Sequence, residues 1–338
     1  MSIAQSLRDD AVHAARWPIR VGQQTRRTLG GLKDGEIGIT DIAPPVVGTL
    51  FAILVLLIIL FPVYWMIAAA FAAGTGAASL YEEGFFASPT EWSLEAFEWV
   101  IYESAFVFDS YPQGEAGLLD YLYAFSGSYL ANSLQIVIPT VIFSMVLIVP
   151  AAYAFSRHDF AGRTPLLYGY VLLTQVGSGI TVAALIAIYV VFNWLGFTNS
   201  HLAIAALYAA GALPFNTWLL KTFMDSIPRS YEEAAIMDGA PRRTIFREII
   251  LPLSKPGLAA VLIFVFLSGW NEFILAQILL GADKYPLSVG LYLLLEEYGT
   301  PWGQFAAFSM LYALPVVLIY FFAQRYVESG LSFGGMDG

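Results

Sequence analysis

The sequence predicts an all-α integral membrane protein built on six membrane-spanning helices. Three observations carry that expectation. The 338 residues are 58% hydrophobic and only 12% charged, with a mean hydropathy of +0.67, a composition outside the range of soluble globular domains. The apolar runs are long enough to cross a hydrocarbon core of about 30 Å, which takes ~20 helical residues. They are also continuously apolar rather than alternating, as expected of lipid-embedded helices and not of barrel strands.

Residues 1–44 are polar, with Arg16, Arg20, Arg26, Arg27 and Lys33 set among acids, and read as a tail with no packed core of its own. Thr25-Arg26-Arg27 resembles a twin-arginine export signal, but the apolar run begins too far downstream and is too long for a cleaved signal, so it is expected to stay as the first span. Within a transmembrane region of 45–325, spans are expected at about 45–74, 129–155, 165–192, 201–223, 257–280 and 303–323, followed by a tail at 326–338. Prolines inside these runs, Pro62, Pro139, Pro150, Pro214 and Pro315, each remove a helical hydrogen bond and permit bending. Gln175, Gly177, Ser178, Gly179 and Thr181 offer small or polar surface for close helix packing in the third span.

Orientation follows from sixteen Lys and Arg residues: six precede the first span, two follow the second, six surround the fourth-to-fifth connection and one follows the sixth. Only Lys284 falls on the other side, so the positive-inside rule places both termini and the loop 224–256 in the cytoplasm. Residues 75–128 carry nine acids and no Lys or Arg and are expected outside. Phe85, Phe86, Trp92, Phe97 and Trp99 there favour folding against the membrane surface or against the loop itself. The absence of cysteine removes disulfides and thiolate metal sites, and His13, His158 and His201 are too scattered for a metal cluster. A pI near 4.7 argues against nucleic acid as a partner.

The most informative polar segment lies in the loop 224–256. Ser230 followed by Glu233 has capping-box spacing, so a short helix is expected to begin there. Gly239 supplies the left-handed residue that ends such a helix, and Pro241 suits the first turn of another. Tyr231, Ala234, Ala235 and Asp238 recur at helical spacing and form one expected docking face.

Glu233-Ala-Ala, three residues, Gly239, nine residues, then Ile249-x-Leu251-Pro252 resembles the signature of the membrane-spanning permease subunits of ABC importers. Asn132-Ser-Leu134, Ala151-Ala-Tyr-Ala-Phe-Ser-Arg157 and Trp270-Asn-Glu-Phe273 extend that resemblance to the shorter permease of maltose-type carbohydrate importers. It implies a type I importer permease fold and a coupling helix seated in a groove of a separate cytoplasmic ATPase dimer. Tyr231, Glu232, Glu233, Ala234, Ala235, Asp238, Gly239, Ile249, Leu251 and Pro252 would serve that coupling. It further implies a second permease subunit, an extracellular solute-binding protein, and ATP with Mg held by the ATPase and not by this chain. Accordingly, none of the four lysines sits in a phosphate-binding Walker pattern. The family's usual C-terminal lysine is replaced by Asp337, which puts a tail contact with the ATPase in question.

Asn271 and Glu272 form the most polar group within an expected span, which suits either a place in the translocation pathway or its outer gate, or a structural bond to a neighbouring helix. Glu272 is fifteen residues beyond Gly257, about 22 Å along a continuous helix, where a carboxylate facing lipid would be costly. An ion-coupled transporter or channel would instead call for internal repeats or intramembrane ion pairs, and only Glu272 is a clear intramembrane charge. No His, Asp or Ser constellation points to a membrane-bound enzyme. Permeases for non-sugar solutes remain the nearest alternative within the family.

Overall fold

The structure is a computed structural model, and it describes residues 39–72, 92–112, 116–176, 182–295 and 300–333. The tail at 1–38, Phe85 and Phe86, Gly177 to Thr181 and the C-terminal Asp337 therefore lie outside the described residues, as does the side chain of Gln175. The chain divides into two compact units, 1–65 and 66–338. The described part of the first belongs to helix α1 (Ile39–Phe71), which carries Pro62 without a break and exposes Leu50, Phe51, Leu57, Ile58 and Ile59.

The second unit is helical throughout the described residues; Ala72 and Trp92 form only an isolated bridge. Two short helices, α2 (Glu95–Tyr102) and α3 (Leu118–Ser126), precede α4 (Tyr129–Arg157). Then come α5 (Arg163–Val176), α6 (Val182–Leu195), α7 (His201–Asp225) and α8 (Ser230–Met237). Next, α9 (Arg242–Leu253) leads into α10 (Lys255–Trp270), α11 (Ile274–Leu279), α12 (Leu287–Leu293) and α13 (Trp302–Phe333).

By length and composition, Val47–Phe71, Tyr129–Arg157, His201–Asp225 and Trp302–Gln324 can each cross a membrane. A fifth is reached if α9 and α10, bent by 75° at Ser254, count as one span. The third expected span falls on α5 and α6, fourteen residues each, with 177–181 between them outside the described residues. The fifth expected span ends early, at Trp270 and not near 280. The carbonyl of Trp270, which a continuing helix would offer to Ile274, accepts instead from the Tyr312 hydroxyl at 2.9 Å.

The centre of the second unit is the pair α4 and α7, with α10 packed on both. The pair runs parallel. Gln135 meets His201 at 3.1 Å near one end, Thr140 donates to the Ala205 carbonyl at 3.3 Å, and Ser156 donates to Asp225 at 2.7 Å at the other end. Close helix approach is built in at Gly257 of α10, where an added Cβ would lie 2.6–2.9 Å from Phe223 side-chain atoms of α7.

One end of the bundle is capped by the segment before α4. Phe71 stacks on Trp92 and packs against Phe97, Phe106 meets Phe308 edge-on, and the Tyr129 and Leu130 amides donate to the Ala105 and Phe106 carbonyls. The segment was expected to fold against the membrane surface or against itself; its described part packs on itself, with Tyr111 against Tyr102, Phe108 and Tyr121, and also on the bundle. The turn at 281–287 closes the same end. Asn132 donates to the Asp283 and Tyr285 carbonyls and Ser133 accepts from the Leu287 amide, so the Asn132-Ser133 pair is a structural tie. Lys284 also lies here, donating to the Asn199 carbonyl. Arg157, Arg163, Lys221, Arg229, Arg242, Arg243, Arg247 and Lys255 belong to the opposite end.

Candidate functional site: the α8 to α9 elbow

At that opposite end α8 and α9 form an elbow with a buried seat and an exposed crest. Helix α8 starts at Ser230 as expected, but no side-chain cap is made. Arg229 is the N-cap, and its carbonyl takes the Glu232 and Glu233 amides at 2.9 and 3.0 Å. The expected Ser230 to Glu233 capping box is thus absent, which leaves both side chains exposed. The stop is as expected. Gly239 has φ +81°, its amide donates to the Ile236 carbonyl, and the Ala240 amide donates to Ala235. This is a Schellman motif, and its left-handed residue is one glycine takes without steric cost.

The seat is apolar. Ile227, Ile245 and Ile250 are buried with Ile148 and Ala152 of α4, Leu220 and Met224 of α7, and Val261 of α10, and Ala235, Ala240, Phe246 and Ile249 pack against them. Each fully buried isoleucine contributes roughly 1.5–3 kcal/mol relative to exposure to water, so the elbow is held as part of the bundle. Within α9 the run Ile245–Ile250 is π-helical, with the Leu251 amide donating to Phe246. The wider turn falls immediately before Pro252, whose ring would crowd the Glu248 carbonyl in a regular helix. Ile249 is half-buried in this seat, Leu251 is half-buried and Pro252 is exposed.

The crest differs from the expected face. Tyr231, Glu233, Ala234, Asp238 and Gly239 are exposed, whereas Ala235 turns inward onto the seat and Met237, 87% exposed, stands furthest out beside Ile236. The crest thus has an exposed apolar centre, Ile236 and Met237, flanked by the carboxylates of Glu233 and Asp238.

Glu232 points the other way. Its Oε1 lies 2.5 Å from Nε of Arg157, the last residue of α4, with side chains 13% and 7% exposed. The N–H does not align with the oxygen for a hydrogen bond, so the pair is held by charge. The same guanidinium donates to the Ile227 carbonyl at 2.9 Å and to Ser156 at 3.3 Å, while Ser156 and Lys221 both donate to Asp225. Arg157, Asp225, Ile227 and Met237 were not among the residues expected here. Two signals were readable, the i to i+4 spacing of Lys221 and Asp225 and Arg157 as the last residue of the Ala151–Arg157 motif.

Asn271 and Glu272 lie far from the elbow, in the break between α10 and α11. Asn271 accepts from the Tyr312 hydroxyl at 3.1 Å, and Trp270 is buried and stacked between Phe266 and Tyr312. Glu272 Oε1 accepts the Leu275 amide at 2.8 Å, starting α11, and its carbonyl accepts from Ser288. Glu272 is therefore half-buried at a helix junction and not on a continuous span. Among the described residues, no three His, Asp or Glu side chains converge to hold a metal ion.

Comparison with known proteins adds a consistent pattern. Residues 126–333 match the family model described as binding-protein-dependent transport system inner membrane component. The chain is 38% identical over 233 residues to the galactooligosaccharides transport system permease protein GanQ of Bacillus subtilis, covering 68% of this chain and 80% of that protein. It is 31% identical over 294 residues to the maltodextrin transport system permease protein MdxG of the same species, covering 86% and 95%. Its fold resembles a chain in the crystal structure of a bacterial ABC transporter involved in the import of the acidic polysaccharide alginate, with TM-score 0.68, 24% identity, and coverage of 86% of this chain and 98% of that one.

Proposed function

Since this chain belongs to the family of binding-protein-dependent transport system inner membrane components, we propose that it is the transmembrane permease of an ATP-driven sugar or oligosaccharide importer. The observation that carries this reading is the elbow: an exposed apolar crest on a helix anchored to the bundle at its basic end. The relatives named for galactooligosaccharides and maltodextrin support the substrate class. In this reading two ATPase subunits hold ATP and Mg and close on nucleotide, α8 moves with their groove, and the bundle alternates between inward-open and outward-open. A solute-binding protein delivers the sugar, and a second permease completes the pathway. This chain binds no nucleotide and catalyses no reaction itself.

The full path has six spans in this reading, with α5 and α6 counted as one and α10 continued through the break to α11. Both termini and the elbow face the cytoplasm. The natural absence of cysteine makes orientation testable. A cysteine at Tyr123, which is 84% exposed, is expected to react with a membrane-impermeant maleimide from outside, and one at Met237 only after permeabilisation. The reverse pattern would overturn the orientation.

Asn271 and Glu272 are proposed to border the outer part of the pathway, their polar groups being set at a helix break where backbone can line a water-filled cavity. Glu272→Gln keeps an acceptor for the Leu275 amide and removes only the charge. Import is expected to fall a few-fold at unchanged membrane level; normal import would reduce Glu272 to a cap for α11.

Affinity purification of the chain from native membranes in mild detergent, with partners identified by mass spectrometry, tests the whole reading. An ATPase, a second permease and a sugar-binding protein are expected. Recovery of the chain alone, while a control importer survives the same detergent, would shift the assignment to an ion-coupled transporter or channel.

A further inference from the structure

Resting on the reading of α8 as the docking helix, we infer that Arg157 is the positioning residue through which α8 drives the bundle. It delivers the motion of α8 directly to α4, a helix that is not its neighbour in sequence. Helix α8 is joined to α7 through Ser226–Arg229 and to α9 through the turn at Gly239. A short turn with a left-handed glycine can change its angle, so covalent linkage alone transmits a movement of α8 loosely, and the packing of α8 itself on the apolar seat is made through Ala235.

Arg157 removes that looseness. Its guanidinium holds Glu232 of α8 and the Ile227 carbonyl beyond α7, and its neighbour Ser156 holds Asp225 at the end of α7. The ends of α4 and α7 and the inner face of α8 are therefore clasped at one point.

Burial makes the clasp durable. With side-chain exposures of 7% and 13%, Arg157 and Glu232 cannot separate without stranding two charges away from water, a far larger penalty than breaking an exposed pair. The parallel run of α4 beside α7 then converts a push on α8 into a joint displacement of both helices, and α10 follows through its packing on both. The crest of α8 receives the ATPase and its underside, through Glu232, passes the movement on.

The complete importer complex in proteoliposomes tests this, with ATP hydrolysis and import measured together. In Glu232→Gln the complex is expected to assemble with normal subunit ratios and to hydrolyse ATP, while ATP consumed per solute imported rises about tenfold. Import and hydrolysis falling together with loss of subunits would show a merely structural role and overturn the proposal. The pair Arg157→Cys and Glu232→Cys, the only thiols in the chain, is then bridged with a short bifunctional thiol reagent. Import by the bridged complex within about twofold of the unbridged one is expected, since the two groups stay together throughout the cycle. Arrest of import on bridging, with hydrolysis continuing, would show that they must part, and would overturn it. Absence of ATP-dependent import by the unmutated complex would overturn the importer reading itself, which separates the two failures.

Discussion

Met237→Glu should weaken association of the ATPase with this chain by at least about tenfold while leaving the amount of chain in the membrane unchanged. Met237 is 87% exposed and follows Ala234 on the outer side of a helix whose inner residues, Glu232 and Ala235, are already engaged. An unbranched thioether adapts to an irregular groove and gains roughly 1.5–3 kcal/mol on full burial. A carboxylate there must be desolvated without a partner, next to Glu233 and Asp238 of the same sign. The fold has no stake in the side chain, so insertion should be untouched. Co-purification of the ATPase at the unmutated ratio would show that the crest is not the docking surface.

Gly257→Val should sharply lower the amount of folded chain recovered from the membrane. The helices α7 and α10 approach so closely here that even a Cβ would lie 2.6–2.9 Å from the Phe223 ring and Cβ. Two of the clashing atoms sit at the root of the Phe223 side chain, so rotating the ring does not clear them, and the helices must part. Overpacking of this kind costs typically about 1–3 kcal/mol and occasionally more. The same helices carry Val261, Leu220 and Met224, which seat the elbow, so the damage reaches the elbow. Combining Gly257→Val with Phe223→Ala should restore much of the lost protein. Full recovery of the single variant, with unchanged melting in detergent, would refute the close-approach argument.

The parts legible in the sequence were those governed by local chemistry. The spans at α4 and α7 were visible as long apolar runs; the caps that set their starts, Ser128 and Ser200 each accepting from the third residue of the helix, emerged only with the fold. The stop of α8 was visible because few residues other than glycine adopt φ near +81°. Elsewhere the deciding groups were distant. The break after Trp270 depends on the Tyr312 hydroxyl, forty-two residues further on, and a hydropathy run does not reveal it. The rotation of α8 that turns Ala235 in and Met237 out follows from the pairing of Glu232 with Arg157, made across the fold. The eight residues of α8 have too weak a periodicity to indicate it. Family resemblance pointed to residues 231–252 as the segment to inspect, and the fold shows which of its side chains are exposed, Tyr231, Glu233, Ala234, Met237 and Asp238 among them, and that Ala235 turns into the bundle.

Site-specific photo-cross-linking from α8 tests the central claim most directly. A photoreactive amino acid placed at Met237, in cells producing the whole system, would be irradiated in native membranes and its adducts identified by mass spectrometry. The account predicts a dominant adduct with a protein carrying a Walker ATP-binding motif, at a yield that changes when nucleotide is trapped. Adducts with lipid alone, or none where a control position in the same chain cross-links efficiently, would contradict it.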